Sequence, residues 1–568
     1  DEVRLANLIY YPEKMINQIK QANEYTEDWQ KTAVYRLVQI CREVSSKYTR
    51  SKVRKKMPRE FSGVIDELLY VDNTDDNKTE YYSELINTLI DVRVADSFIV
   101  VICSLIRSLT IDNLHILGDI FDRGPRPDII LEELMHFHDV DIQWGNHDIS
   151  WMGAATGNRA CICNVLRMAL GYNGFDVLED GYGINLRPLS MFAERVYRDD
   201  PCTCFLPQIL DKNIYDAVDP KLAAKMHKAI AVLQYKEEGQ IIKRHPEYGM
   251  EERILLSAIR YDRGTVTIDG KEYPMRDMNF PTVDPADPLR LTDEEEELLH
   301  TLELSFRHNA RLHEHVRFLY SNGSMYKCCN SNLLYHGCIP MTENREFDGL
   351  MVGGKMYRGK ELMDFIDTQV KNAYFLPEDA PEKEACRDFM WYLWNGAKSP
   401  VFGKDKNRSF EHYFIEDPEV MRETMNPYYQ LSEEEETCDM ILKEFGLPTK
   451  GSHIINGHMP VKIKSGETPI RAGGKLFIID GGLSKAYQER TGIAGYTLIF
   501  NSHHLALAEH KPFDPERERT PKVYIVEKMQ KRITVADTDE GKELAGRIED
   551  LKELLKAYRS GLLKERVR

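Results

Sequence analysis

Residues 114–148 read LHILGDIFDRGPRPDIILEELMHFHDVDIQWGNHD. The segment contains two short apolar runs, LHIL and VDIQW, and each is followed by a glycine and then by polar residues. Between them lies a helix-like stretch, PDIILEELMHFH. A strand, a helix and a second strand in this order form the unit from which parallel sheets are built. The segment therefore predicts an α/β fold.

Side chains that bind metals follow four apolar runs of the chain. They occur in Gly118-Asp119, Gly145-Asn146-His147, His336-Gly337 and Gly457-His458. Ligands of α/β proteins collect at the carboxyl ends of the strands, so we expect these side chains to converge. A lone His-Gly pair is usually a turn, but four such motifs in order indicate a site. Their mixed oxygen and nitrogen ligands suit manganese, iron, cobalt or zinc better than calcium.

The composition argues against two kinds of partner. A net charge of −17 is unfavourable for binding nucleic acid, whose phosphates attract a basic surface. The longest apolar run, residues 98–106, predicts a buried helix, because a membrane span needs about 20 residues. The sequence shows no signal peptide, and its eleven cysteines lack the spacing of a zinc site. We therefore expect reduced thiols in a cytoplasmic protein.

Five regions differ in texture along the 568 residues. Residues 1–110 show helical periodicity, and residues 111–160 show the strand–helix–strand pattern of the opening segment. Residues 161–330 predict a mostly helical insertion with one hairpin. Strand patterns return in residues 331–510, and residues 511–568 predict a final strand and a closing helix. We expect one α/β core that is divided by the insertion.

Two local patterns predict how particular helices begin and pack. Thr292 to Glu295 and Ser432 to Glu435 both match the capping box, so the acidic runs there are expected to be first helical turns. The closing helix carries an apolar stripe, which we expect to dock on the core. Its members are Leu544, Ile548, Leu551, Leu555 and Tyr558.

The motifs GDIFDRG, GNHD, HG and GH, in this order, resemble the calcineurin-like metallophosphoesterases. Longer phrases, among them MWYLWNGAKSPVFGK, IINGHMPVK and DGGLSKAYQERTGIAGYTL, are similar to the bacterial class III fructose-1,6-bisphosphatases, and the likeness extends over nearly the whole chain. The resemblance implies a metallophosphatase sandwich of two sheets, flanked by helices and carrying large helical insertions. It also implies hydrolysis of fructose 1,6-bisphosphate to fructose 6-phosphate and phosphate, a step of gluconeogenesis.

Two other functions remain open at this point. The nearest is a protein serine/threonine phosphatase or a nucleotide phosphatase with the same core. The other is a non-catalytic remnant of the fold. In the main interpretation the substrate is a small sugar phosphate, and neither nucleic acid nor a membrane is a partner. The sequence also allows a homo-oligomer.

The resemblance implies a binuclear metal site. Asp119 matches the aspartate that bridges two metals, and Asn146, His336 and His458 match the remaining ligands of the second metal. Manganese is the expected cofactor, with magnesium, iron, cobalt or zinc as alternatives. The family's D-x-H motif, which supplies the first metal, does not occur in these residues. We therefore expect a longer parent chain, and from these residues alone one metal per site and little activity.

The catalytic residues are likewise implied by the resemblance. His147 matches the histidine that protonates the leaving alkoxide, and Asp122 matches the carboxylate that orients it. Arg123 matches the arginine that binds the phosphate of the substrate. Arg408, in KDKNRSF, is assigned as a second substrate-binding arginine. Each assignment suits the chemistry, because arginine offers phosphate a planar pair of donors and a carboxylate fixes the tautomer of an imidazole.

Overall fold

A computed structural model describes residues 2–70, 76–209, 219–512 and 521–564 of the chain. The chain divides into two compact units. One comprises residues 1–114 and 137–141, and the other comprises residues 115–136 and 142–568. The first unit is helical, whereas the second contains every residue of the candidate site. The α/β class predicted from the sequence is confirmed.

Described residues 2–110 of the first unit form helices that are joined by short connections. They are α1 (Glu2–Tyr10), α2 (Pro12–Gln21), α3 (Glu27–Ser45), α4 (Arg50–Lys56), α5 (Ser62–Tyr70), α6 (Asp76–Asp91) and α7 (Ala95–Thr110). The apolar run at residues 98–106 lies in α7, where Phe98, Ile102 and Ile106 are buried. The predicted buried helix is therefore confirmed. Over the described ranges, no helix combines the length and the apolar character that crossing a membrane requires.

The strands of the described chain are short. They are β1 (Leu114–Ile116), β2 (Val140–Gln143), β3 (Ile259–Arg260), β4 (Thr265–Ile268), β5 (Lys271–Pro274), β6 (Gly323–Ser324), β7 (Tyr326–Cys329), β8 (Asn332–Tyr335), β9 (Gly349–Val352), β10 (Lys355–Arg358), β11 (His453–Asn456), β12 (Ile470–Arg471), β13 (Leu476–Ile478), β14 (Gly495–Phe500), β15 (His504–His510) and β16 (Lys522–Lys528). They form sheets in the orders β1-β2-β6, β3-β4-β5, β12-β13-β11-β8-β7, β14-β15-β16 and β10-β9. Both apolar runs of the opening segment are strands, as predicted.

Helices fill the intervals between these strands. They are α8 (Pro127–Met135), α9 (Asn146–Ala155), α10 (Arg159–Gly171), α11 (Arg187–Val196), α12 (Pro220–Arg244), α13 (Leu255–Ala258), α14 (Asp293–Arg307), α15 (Ala310–Asn322), α16 (Gly359–Phe375), α17 (Lys383–Asn395), α18 (Ser409–Phe414), α19 (Tyr428–Leu431), α20 (Glu435–Glu444), α21 (Lys485–Thr491) and α22 (Asp539–Arg559).

Parallel pairing sets the direction of the ligand-bearing strands. β11 is parallel to both β8 and β13, with Ile454 opposite Leu333 and Ile455 opposite Phe477. β2 is parallel to β6. Parallel neighbours end at the same edge of a sheet, so the residues that follow β8 and β11 start out side by side. His336 comes directly after β8, and His458 comes two residues after β11.

One of the two predicted capping boxes is wrong. Thr292 accepts a hydrogen bond from the backbone N–H of Glu295, whose carboxylate accepts one from the N–H of Thr292, as predicted. Ser432 instead has helical backbone angles and ends α19, because its N–H donates to the carbonyl of Tyr428. The next helix, α20, begins at Glu435 without a side-chain cap. A capping residue needs extended backbone, and the preceding helix denies it to Ser432.

The predicted docking of the last helix on the core is also wrong. Each residue of the apolar stripe on α22 is more than 40% exposed in the described structure. The helix is joined to the strand region through its first residue, since Asp539 and Asn330 exchange hydrogen bonds. The periodicity of the sequence predicts the apolar stripe correctly. It does not show whether another surface of the protein packs against that stripe.

Candidate active site

Two tight turns place the first ligands at the ends of β1 and β2. Gly118 has a φ of +76°, and a Cβ there would lie 2.4 Å from the carbonyl oxygen of Gln143. A Cβ on Gly145 would lie 2.1 Å from Oδ1 of Asp119. Both positions therefore require glycine, because the two turns approach more closely than any side chain permits. This approach brings Asp119 beside the start of α9, which carries Asn146 and His147.

Asp148 fastens the two turns together. Its carboxylate accepts hydrogen bonds from the backbone N–H groups of Asp119 at 2.7 Å, Ile120 at 2.9 Å and Gly145 at 3.0 Å. Burial and the nearby charge of Asp119 raise the pKa of Asp148 to about 7. The sequence analysis missed this residue, because an aspartate in the first turn of a helix is ordinarily a solvated cap.

Three site residues have left-handed backbone although they are not glycine. The φ angles are +55° for Asp119, +56° for Arg123 and +66° for His458. For an L-residue this conformation costs roughly 1–2 kcal/mol. Such a cost persists only where the surrounding structure enforces it, and it is typical of functional sites.

The four predicted metal ligands converge. Nε2 of His336 lies 3.2 Å from Oδ2 of Asp119 and 3.2 Å from Nδ1 of His458, which in turn lies 3.1 Å from Oδ1 of Asn146. Two atoms bound to one ion at about 2.1 Å are roughly 3.0–3.4 Å apart at octahedral or tetrahedral angles. The spacing of these four atoms therefore fits a single transition-metal ion.

Backbone carbonyl groups orient both histidines of the cluster. Nδ1 of His336 lies 2.6 Å from the carbonyl oxygen of Leu117, and Nε2 of His458 lies 3.1 Å from that of Phe402. Each ring therefore uses one nitrogen for a carbonyl group and presents the other to the cluster, an arrangement common around protein-bound metals.

The ionisation of the cluster without a metal follows from its burial and charge. Burial opposes protonation of His336, but the Asp119 carboxylate outweighs it and raises the pKa of His336 to about 9. Burial and the proximity of His336 lower the pKa of His458 to about 3. Asp119 has a pKa well below its ordinary value, because the charges of His336 and His147 outweigh its burial. The cluster therefore favours positive charge at its centre, which a metal ion supplies when bound.

The predicted pair of His147 and Asp122 lies beside the cluster. Nε2 of His147 is 3.1 Å from Oδ1 of Asp122, and its backbone N–H donates to Oδ1 of Asp119. The ring of Trp394 packs edge-on against the imidazole, with centroids 4.9 Å apart. Asp119, Asp122 and His147 also form a second group whose ligand atoms lie within 4.8 Å of one another. Asp119 is thus shared by two groups that can hold a cation.

The structure separates the two predicted phosphate-binding arginines. Nε of Arg123 lies 3.5 Å from Oδ1 of Asp122, and Arg123 lines a pocket together with His147 and Trp394. Arg408 is not among the residues that line this pocket. Its guanidinium instead donates hydrogen bonds to the carboxylates of Glu411 and Asp269, both at 3.1 Å.

A cluster of metal ligands lies beside an arginine whose ring contacts use none of its N–H groups. A bound metal ion and the arginine could therefore both contact one phosphate group. The class of protein that follows from fold and site is a metal-dependent phosphatase.

Comparison with known proteins identifies the family. The chain belongs to the Firmicute fructose-1,6-bisphosphatases, whose family model matches residues 1–560. A fructose-1,6-bisphosphatase class 3 of Clostridium tetani is 50% identical over 100% of this chain and 87% of its own length. The proteins of the same name from Bacteroides fragilis and Alkaliphilus metalliredigens are also 50% identical, over 100% and 99% of this chain and 87% and 86% of their own lengths. No solved structure matches the chain.

Proposed function

We propose that this protein hydrolyses the 1-phosphate of fructose 1,6-bisphosphate to give fructose 6-phosphate and inorganic phosphate. The observation that carries the proposal is the convergence of four metal-ligand atoms, spaced 3.1–3.2 Å apart, next to Arg123 and His147. Membership of the fructose-1,6-bisphosphatase family supports the substrate. The relatives reported above are named for the same activity, and the match covers 87% of the length of two of them.

Asp119, Asn146, His336 and His458 would hold the metal, for which we propose manganese. Their oxygen and nitrogen atoms suit a first-row transition metal. When bound, the ion polarises the phosphoryl group and lowers the pKa of a coordinated water. We propose that Asp119 also serves a second ion, as in the binuclear sites that its motif resembles.

The remaining residues handle the phosphate and the proton. Arg123 presents donors to the phosphoryl oxygens, and its permanent charge favours the trianionic transition state. His147, held by Asp122 at 3.1 Å, gives a proton to the alkoxide that leaves from the sugar. Trp394 restricts the imidazole to this orientation through its edge-on contact. We leave Arg408 out of this scheme, because its two terminal nitrogens donate hydrogen bonds to the carboxylates of Glu411 and Asp269.

A metallophosphatase sandwich is the finer fold that we propose. Its support is that the ligands come from two separate sheets, with Asp119 and Asn146 after β1 and β2, and His336 and His458 after β8 and β11. A cytoplasmic location and a homo-oligomer stay predictions.

The test is phosphate release with Mn²⁺ by the purified protein, expressed from its complete gene. We expect turnover on fructose 1,6-bisphosphate that exceeds turnover on a phosphoserine peptide or a nucleotide, and that EDTA abolishes. Asp119→Asn, which keeps the size of the side chain but removes its charge, is the matched inactive control. Preference for the phosphopeptide would overturn the substrate in favour of a protein phosphatase. Absence of phosphate release from all three substrates would indicate a non-catalytic protein.

A further inference from the structure

Arg123 is a half-buried arginine whose guanidinium makes no hydrogen bond to a protein acceptor among the described residues. Its side chain is 24% exposed, and its Nε forms an ion pair with Oδ1 of Asp122 at 3.5 Å but is buried without a hydrogen-bond partner. Arginine side chains carry about 2 kcal/mol of rotamer entropy, so an unheld guanidinium would sample many positions. Something other than hydrogen bonding must therefore hold this one.

Two tyrosine rings contact the guanidinium. Its Cζ lies 4.4 Å from the ring centroid of Tyr172 and 4.8 Å from that of Tyr487. Tyr172 ends α10 and lines the pocket beside Arg123, whereas Tyr487 lies on α21, more than 300 residues further along the chain. Contacts with ring faces attract a cation without using its N–H groups. The ring contacts therefore use none of the N–H groups that lie in the plane of the guanidinium.

Tyr487 also contacts the partner of His147. Its hydroxyl donates a hydrogen bond to Oδ1 of Asp122 at 3.3 Å, the same oxygen that faces Nε2 of His147 at 3.1 Å. Burial raises the pKa of Tyr487 well above its ordinary value, so the hydroxyl keeps its proton. One side chain thus contacts both the arginine and the carboxylate of the site.

The segment before α21 fixes the position of Tyr487. Gly482 has a φ of +74°, and a Cβ there would lie 2.2 Å from Cβ of Tyr487. Ser484 caps α21 and also donates from its hydroxyl to the carbonyl oxygen of Arg123 at 3.3 Å. The turn at residues 482–484 therefore ties Tyr487 to the backbone of the arginine that its ring contacts.

We propose that Tyr172 and Tyr487 are positioning residues: their rings hold Arg123 for the phosphate, and the Tyr487 hydroxyl holds Asp122 for His147. The inference rests on the proposed function and deepens it, because it assigns the ring and the hydroxyl of Tyr487 to two different steps of the reaction. The rings serve phosphate binding. The hydroxyl serves proton transfer.

Removal of one ring tests the first role. Tyr172→Leu should raise KM for fructose 1,6-bisphosphate and the inhibition constant of inorganic phosphate together, about three- to thirty-fold, with a smaller effect on kcat. Tyr172→Phe keeps the ring face and should restore most of the loss. The matched control is Tyr273→Leu, which removes a ring that lies 4.9 Å from Lys271 in the β4–β5 hairpin. Its constants should equal those of the wild type.

Removal of one hydroxyl tests the second role. Tyr487→Phe keeps the ring over Arg123 and should lower kcat about two- to ten-fold, with KM within two-fold of the wild type. Tyr487→Leu should change both constants. Equal effects of Tyr487→Phe on kcat and KM, or none on either, would overturn the division of roles.

If Tyr172→Leu does not fold, the role of the ring can be tested with fluorinated phenylalanines at position 172. Fluorine makes the ring face less negative and leaves the shape of the side chain nearly unchanged. KM should rise with each added fluorine, and a flat series would overturn the role of the ring. These outcomes require an active wild type. If the wild type fails to release phosphate from fructose 1,6-bisphosphate, the proposed function has failed instead, and phosphate binding by the same variants still tests the ring contacts.

Discussion

Two regions of the molecule each surround an arginine, and they treat it in opposite ways. Around Arg408 the acidic groups of Glu411 and Asp269 accept its hydrogen bonds, and Glu411 is fully buried. Around Arg123 the Asp122 carboxylate forms an ion pair at 3.5 Å without a hydrogen bond, and two aromatic rings contact the guanidinium. Both side chains look alike in the sequence, each within a polar motif. We propose that Arg408 stabilises the fold and that Arg123 is held ready for a ligand.

The difference shows how a binding arginine can be recognised in a structure. The terminal nitrogens of Arg408 already donate to carboxylates, so a ligand would have to displace those carboxylates, which is costly where one of them is buried. Donors that face a pocket, on a head group held by rings, can bind an anion without such a loss. The predictions below test this contrast, from the largest expected effect to the smallest.

Asp119→Ala should lower kcat by more than about a thousand-fold, because the shared ligand of the metal cluster is lost. Asp122→Ala should lower it by only about a hundred-fold, since that carboxylate acts through His147. The measurement is kcat for both variants at matched metal content. Equal residual rates would place the two aspartates in the same role and undo the assignment of Asp119.

Arg123→Ala should raise KM and lower kcat, with kcat/KM reduced about ten- to hundred-fold by the loss of charge-assisted hydrogen bonds. The thermal midpoint should fall less than in Arg408→Ala, because the contacts that are lost are two ring contacts and an ion pair at 3.5 Å. Steady-state kinetics and a thermal melt on the same sample check both parts. Unchanged kinetics would remove Arg123 from the site and break the contrast.

Arg408→Ala should show the reverse pattern. Loss of the buried partner of Glu411 should lower the free energy of unfolding by about 2–3 kcal/mol, moderated by Arg253, which also pairs with Glu411. KM should match that of the wild type. Denaturant unfolding and substrate titration separate the outcomes, and a raised KM with unchanged stability would return Arg408 to substrate binding.

Glu237→Gln tests whether a buried charged group without a hydrogen-bond partner is by itself evidence of a functional site. Glu237 is 7% exposed, its Oε1 has no partner, and burial raises its pKa to about 7. The native state binds the proton more tightly than the unfolded state, so ionisation lowers stability as pH rises from the unfolded pKa to about 7. The variant should gain about 1–3 kcal/mol at pH 8 and progressively less towards pH 5, with unchanged activity. A gain that is the same at both pH values would contradict the sign.

The strands and the convergence of the four candidate metal ligands could be predicted because their signals are local. An apolar run that ends in Gly-Asp or Gly-Asn predicts both the strand and the polar residue that follows it. Asp119 and Asn146 were proposed as ligands in this way. His336 and His458 follow the same rule. The pairing of His147 with Asp122 came from the family resemblance, and the structure brings the two side chains within 3.1 Å.

The missed or misassigned residues depend on tertiary contacts that no local pattern encodes. Asp148 acts through four backbone N–H groups on two turns, and Tyr487 contacts a residue more than 300 positions away. Arg408 was assigned from a short polar motif, which does not reveal that Asp269 and Glu411 face it. The stripe on α22 is a periodic signal without a partner in the described structure.

The left-handed backbone at Asp119, Arg123 and His458 has a consequence for engineering and for the comparison of sequences. Glycine at any of the three would relieve about 1 kcal/mol of conformational cost in the folded state, part of which the greater freedom of glycine in the unfolded chain offsets. It would also remove the side chain and its contacts, such as the hydrogen bond that Asp119 accepts from the N–H of His147. Glycine is therefore the substitution that the backbone tolerates best at these positions and that the site tolerates least. In the genome of a relative, glycine at position 119, 123 or 458 would mark a chain that has kept the fold and given up the chemistry.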